Sequence, residues 1–498
     1  MGNHNQTRSL LKWSNNNNNN TTLTLLARGD NSYGNITHLN NKAIRFVSVF
    51  IGNFQCFAVD NYGTLYSWGL NDYYQLANEK RVDYTYGSAN AFSVLYAHPT
   101  LYDKIVTLGA AVTHANIAFP VFPVDIKEIT CGDGFTLFLD KYGVVYSVGR
   151  NDKGQLGYEL AQGEYELVSG VKCKSKLTKI PFFVDNDIKV SHIVSGSDFS
   201  FAKDSSQNVY YSWGNNSHSQ LACVTNLKYV FNPVKAKLLQ DLRVTQIECG
   251  WMHGSVLCEG GAMYIWGNPF YDYNNKEKDI IQLKQIEYDM QRETVLSYAN
   301  GFHHFALIVR DNTTKRLTLR TFGANDFGQL GYDTLNTIYT YELTEVKFPE
   351  HNNDIVDVYC GAFHTICKLA NGVLYGFGQN DNGQLGDYTS EYISHPVRWN
   401  YNYDDISDDN DTADTDVYKR NKSLPKDIMN EDYKSLRSDN IVNWKVLIDI
   451  KCGNGSTLLI FKNRRDVCND STLTDSNNNI NNRKRNSYID ISMSSYQK

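Results

Sequence analysis

The chain has 498 residues, with 48 Lys and Arg against 54 Asp and Glu and a formal charge of −6, so no global basic field marks a nucleic-acid binder. Its ten cysteines form no CxxC pair, and Cys131, Cys249, Cys360 and Cys452 each stand just before a glycine at one recurring position. They read as small buried core residues in a reducing compartment, which excludes a disulfide scaffold and a cysteine zinc site.

In chain order, residues 1–22 form a polar arm ending in the run Asn15–Asn20, which cannot bury a core and reads as disordered. The arm carries no apolar signal segment, and Gln6 stands where a myristoylation motif wants Ser or Thr, so neither secretion nor lipid anchoring is expected. From residue 23 the chain is a repeat. Its clearest unit is Ile355–Leu369, IVDVYCGAFHTICKL, joined by Ala370-Asn371-Gly372 to Val373–Gly386, VLYGFGQNDNGQLG. Asn-Gly between runs rich in aromatic and β-branched residues is a hairpin signal, because both residues tolerate positive φ.

The glycine of the first half-unit recurs at Gly52, Gly132, Gly196, Gly250, Gly301, Gly361 and Gly453; that of the second recurs at Gly29, Gly69, Gly149, Gly214, Gly267, Gly323 and Gly378. Residues 25–35 are a second half-unit with no first half before it, and residues 447–461 are a first half-unit with no second half after it. These orphans predict an all-β fold, a seven-bladed β-propeller closed by pairing of N- and C-terminal strands, which leaves no sheet edge open. Length alone would suggest roughly three domains at about 150 residues each. Spacings of 65, 53, 56 and 55 residues between successive second-half glycines from Gly149 to Gly378 favour a single ring over 23–461 instead.

Blade one spans residues 46–76. An 80-residue spacing from Gly69 to Gly149 puts a long inserted loop at about 78–120. The most apolar long window, 105–124, contains His114, Asn116, Pro120 and Pro123, and so reads as insert and strand, not as a membrane span. Blade two (124–157) carries CGDGFTLFLDKYGVVYSVGRNDKGQLG and is followed by an insert at 158–187; blade three (188–221) repeats the plan. In blade four, Pro269–Asn275 has lost the GQLG ending, which blade five (294–331) keeps. A third insert, 387–440, bears Asp404, Asp405, Asp408, Asp409, Asp411, Asp414 and Asp416 and reads as a solvated loop, or else as a docking site for a basic partner. The tail, 462–498, is a disordered Asn-rich segment with the basic clusters Arg464-Arg465 and Arg483-Lys484-Arg485.

The chain has no GxxxxGK[ST] phosphate loop, no HExxH and no GxSxG, so no covalent catalysis and no cofactor are expected. His253, His304 and His364 share one position, three residues after the first-half glycine. Because that position recurs in different blades, hydrogen bonding to a neighbouring blade accounts for it better than metal ligation, which needs the nitrogens within about 2 Å of one centre. Trp68, Trp213 and Trp266 occupy another shared position and read as core.

The paired half-units, with [Cys/Gly]-Gly-x-x-His before a hairpin and Leu-Tyr-x-Trp-Gly-x-Asn-x-x-Gly-Gln-Leu-Gly after it, resemble the regulator of chromosome condensation repeat. The resemblance covers about 23–461 apart from the inserts. It implies a protein-interaction propeller, and members serve as exchange factors for the GTPase Ran, in ubiquitin ligases, in a plant photoreceptor and in tRNA or diphthamide modification. In the Ran exchange factors the exchange face carries Asp one residue after the blade-two glycine, Asp two after the blade-three glycine and His three after the blade-five glycine. Asp133, Asp198 and His304 match those positions, and His253 and His364 join them as GTPase-binding candidates by repeat register. The resemblance thus implies a guanine nucleotide exchange factor for a Ran-type small GTPase, acting in nucleus or cytoplasm, with chromatin contact through the basic tail as a further expectation. The alternative is a non-exchanging scaffold of the same family, as in ubiquitin ligation or tRNA/diphthamide modification. Phe135 and Phe199 depart from the repeat's histidine, and the segment after Gly149 lacks the family's wedge, for which 158–187 is the substitute to test.

Overall fold

The computed structural model describes residues 23–29, 46–52, 54–60, 65–77, 126–269, 280–332, 339–349, 354–386, 391–399, 445–454 and 456–463. The insert expected at 78–120, both asparagine runs and the acidic and basic clusters lie outside them.

The described residues form seven antiparallel sheets. Strand β1 (Leu23–Gly29) belongs to the last of these. The first is β2 (Phe46–Ile51), β3 (Gln55–Asp60) and β4 (Leu65–Gly69). The second is β5 (Ile126–Cys131), β6 (Phe135–Asp140) and β7 (Val145–Arg150), extended by the hairpin β8 (Glu166–Val168) and β9 (Val171–Lys179) and followed by the short helix α1 (Pro181–Asp185). The third is β10 (Val190–Ser195), β11 (Phe199–Asp204), β12 (Tyr210–Asn215) and β13 (Tyr229–Lys235). The fourth is β14 (Val244–Cys249), β15 (Met252–Cys258), β16 (Met263–Asn268) and β17 (Ile280–Gln285). The fifth is β18 (Glu293–Asn300), β19 (His304–Asp311), β20 (Leu317–Ala324) and β21 (Tyr339–Glu345). The sixth is β22 (Ile355–Cys360), β23 (His364–Leu369), β24 (Leu374–Gln379) and β25 (Tyr392–Arg398). In the seventh, β26 (Lys445–Cys452) and β27 (Ser456–Asn463) take β1 as their outer strand, in the register Leu26↔Leu459.

Within 158–187, β9 pairs with β7 as the fourth strand of its sheet, and within 387–440, β25 pairs with β24. These outer strands are half-exposed, as in the pattern of β9, so packing does not demand the repeat's sequence from them.

The two motif glycines have separate physical reasons. A Cβ on Gly301 would lie 1.9 Å from the His304 ring, on Gly361 2.0 Å from His364 and on Gly132 1.5 Å from Phe135, so Gly132, Gly196, Gly250, Gly301 and Gly361 let the ring three residues on lie over their backbone. Gly149, Gly323 and Gly378 instead sit at bulges between the third and fourth strands with φ of 108°, 112° and 110°, a region closed to side chains. The GQLG ending is a hydrogen-bonded loop: Asn151 Oδ1 accepts from Leu156 N at 2.9 Å and Gln155 Oε1 from Lys153 N at 2.8 Å, with the same bonds at Asn380–Leu385 and Gln384–Asn382. Leu156 enters the core between the second and third sheets, where Trp213 donates its indole N–H to Gln155 O at 2.9 Å. Trp266 does the same to Gln220 O, so both tryptophans are core, as expected. Cys131, Cys249, Cys360 and Cys452 are buried thiols.

Candidate functional site

Strand alternation brings the loops after β5, β7, β10, β12, β14, β18 and β22 to one end of their sheets. There the residues after the first-half glycines from Gly132 to Gly453 bond one another from sheet to sheet through main chain: Asp133 N to Ser197 O (2.6 Å), Ser197 N to Trp251 O (3.3 Å), Trp251 N to Phe302 O (3.4 Å), Phe302 N to Ala362 O (3.0 Å) and Ala362 N to Asn454 O (3.4 Å). This chain of amides orders sheets two to seven. Sheet one completes the neighbourhood, because β2 packs against both β26 and β5, and Gln55 donates to Gly132 O at 3.3 Å.

The side chains along this rim divide by chemistry. Beside sheets two and three, Arg150 Nη1 lies 3.7 Å from Asp133 Oδ2 and 3.9 Å from Asp198 Oδ1, while its Nε donates to Asp152 Oδ1 at 2.7 Å. Lys153 Nζ bonds Asp198 Oδ2 at 2.6 Å, and Gln155 Nε2 reaches Asp198 Oδ1 at 3.3 Å. The Arg150 guanidinium also stands over the Tyr73 ring at 5.7 Å. Burial alone would lower the Arg150 pKa, but the Asp152 hydrogen bonds and the Asp198 and Asp133 charges raise it, so it is a permanent cation. Asp133 remains 38% exposed but walled by protein; desolvation, with the Asp198 and Asp72 charges adding, holds its carboxyl above the usual range. Beside sheets four to six the rim is aromatic: Trp251 meets Phe302 at 5.2 Å, Phe302 meets Phe363 at 4.9 Å and Phe363 meets Phe327 at 5.0 Å.

Asp133 and Asp198 are therefore brought together, through a cation that the sequence reading missed. A signal for it existed: Arg150 follows the second-half glycine, where the other sheets have Leu70, Asn215, Asn268, Ala324 and Gln379. His253, His304 and His364 are not on the rim surface. All three are fully buried, because their rings lie over the preceding glycines. His304 Nε2 is 3.0 Å from Thr365 Oγ1, and that hydroxyl donates to Gln329 O at 2.9 Å, so the histidine must donate from Nε2. His364 Nε2 meets Thr457 Oγ1 at 3.0 Å, and His253 Nε2 lies 3.4 Å from Asn300 Nδ2. Burial drives the pKa of His303, His304 and His364 down to about 3 and that of His253 well below its ordinary value. They join sheet to sheet as neutral groups, as the repeat register predicts.

The β8–β9 hairpin stands at the same end: Asn151 N donates to Lys172 O at 2.8 Å, and Tyr74 OH of the first sheet donates to Glu166. Among the described residues no group of His, Cys, Asp and Glu could hold a metal ion, and no helix is long and apolar enough to cross a membrane.

The family model of the Regulator of chromosome condensation (RCC1) repeat matches residues 142–202, 210–257 and 320–367, and a second model of that repeat matches 126–155 and 355–384. The chain carries repeats of the regulator of chromosome condensation type. Among curated relatives, the probable E3 ubiquitin-protein ligase HERC4 of Homo sapiens is 27% identical over 303 residues, which is 52% of this chain and 28% of the ligase. The secretion-regulating guanine nucleotide exchange factor of Mus musculus is 23% identical over 325 residues, 51% of this chain and 67% of that protein. The chain thus spans about three tenths of the ligase relatives it matches. Prp20p of Saccharomyces cerevisiae, described together with its binding properties to Gsp1p and histones, is 16% identical, covers 90% of this chain and 94% of its own, and superposes with a TM-score of 0.60, which establishes the propeller fold alone.

Proposed function

We propose that the seven sheets are the blades of one ring closed by the β1–β27 pair, and that this ring is a non-catalytic interaction platform acting as a guanine nucleotide exchange factor for a Ran-type small GTPase. The amide chain around the rim and the Leu26↔Leu459 register support closure. The observation that carries the exchange reading is the juxtaposition of the partly exposed Asp133 and the buried Asp198 about Arg150 at the rim. Expelling a nucleotide requires no covalent step: the factor binds the nucleotide-free GTPase more tightly than the loaded one, and that difference drives release. Carboxylates already held beside Arg150 and Lys153 can exchange these partners for basic groups of a GTPase without reorganising the scaffold. The β8–β9 hairpin beside them takes the place of the family's wedge. The named activity of the mouse relative agrees with this reading, as does the Gsp1p binding of Prp20p. Action in nucleus or cytoplasm follows from the same reading, as does chromatin contact through the basic tail.

Purified protein should accelerate release of labelled GDP from Ran, and Asp198→Ala should abolish the acceleration while the thermal melt still reports a folded ring. No acceleration at micromolar protein would leave the second reading, a scaffold in an assembly such as a ubiquitin ligase, which the similarity to HERC4 favours. Affinity purification would then return a stable complex without a small GTPase.

A further inference from the structure

Away from the rim, a cleft of about 580 Å³ opens between the fourth and fifth sheets, where β17 and β21 are the outer strands. Its floor is apolar: Ile286 and Leu343 lie over the buried Phe322. Tyr341, 45% exposed, forms one wall, with Lys284 Nζ at 4.9 Å from its ring centroid, so this aromatic face already takes a cation. At the back, Arg320 is paired with Glu293 (Nη1 to Oε2 2.8 Å), yet Arg320 Nε is buried with no hydrogen-bond partner among the described residues. Arg292 pairs with Asp289. Glu287 and Glu342, both exposed and both lining the cleft, join no ion pair among the described residues, which leaves the cleft with an excess of negative charge.

We propose that this cleft docks an extended peptide segment of a partner protein that carries an apolar side chain next to a lysine or arginine. The apolar side chain packs on Ile286 and Leu343. The cation lies against Tyr341 between Glu287 and Glu342, displacing Lys284. An extended segment fits because β17 and β21 are edge strands flanking the opening. The site is independent of the exchange reading and of the rim.

The test is selection of a phage-displayed library of random 12-residue peptides on the immobilised full-length chain, with fluorescence polarisation of the recovered sequences. Recovered peptides should pair an apolar residue with Lys or Arg and bind at micromolar concentration. Tyr341→Ala should weaken them at least tenfold, and Glu287→Lys with Glu342→Lys should shift preference to acidic peptides, while the exposed-turn variant Tyr142→Ala changes nothing. Recovery of no binder, or of binders indifferent to both cleft variants while thermal melts are unchanged, would overturn the proposal.

Discussion

Sheets two and three place Phe135 and Phe199 three residues after the first-half glycine, whereas sheets five and six place His304 and His364 there. The rings do the same mechanical job, lying over Gly132, Gly196, Gly301 and Gly361, and all four are buried. Their edges differ. The phenyl edges pack within apolar clusters, while the imidazoles bond Thr365 and Thr457 of the next sheet. One position of the repeat can thus be filled by pure packing or by packing plus a directed bond, and only the second choice makes the joint between sheets sensitive to protons.

Acid should expose that difference most strongly. His303, His304 and His364 have folded pKa values of about 3 against about 6.5 unfolded, so the unfolded chain takes up the protons first. Their contribution is fully present above about pH 6.5 and is lost as pH falls towards 3, at about 1.4 kcal/mol per pH unit each, or about 4 together. Urea unfolding at pH 7 and pH 5 should show this loss, and His304→Phe should reduce the slope by about one proton; an unchanged slope would break the contrast. A smaller effect, about 3 kcal/mol, is expected from Gly301→Ala, whose Cβ meets the His304 ring at 1.9 Å and forces overpacking. Gly132→Ala should cost a similar amount, since the clash does not depend on which ring is there. The smallest effect sharpens the comparison: His364→Phe leaves the buried Thr457 hydroxyl without its histidine, at about 1–2 kcal/mol, and adding Thr457→Val should restore most of it. Chemical melts of the single and double variants make a cycle; strict additivity would refute the coupling.

Much of the fold was legible because two glycines per unit answer to steric requirements that no other residue meets. The outer strands β9, β13, β17, β21 and β25 were not legible, since half-exposed edges tolerate almost any sequence. At the candidate site, Asp133 and Asp198 were found by register alone, but Arg150 and Lys153 occupy positions that the repeat leaves variable. The bonds of His304 and His364 to the next sheet were legible from their shared register, but their full burial was not, because Gly-x-x-His does not announce that the missing Cβ draws the ring inward.

The rim residues from Asp133 to Asn454 are tied to one another by amide and carbonyl groups, to which every amino acid except proline contributes alike. Asp, Ser, Trp, Phe, Ala and Asn all serve at that position in this one chain. Partner choice can therefore drift during evolution by exchanging these side chains one at a time, with the scaffold's own stability left out of the trade.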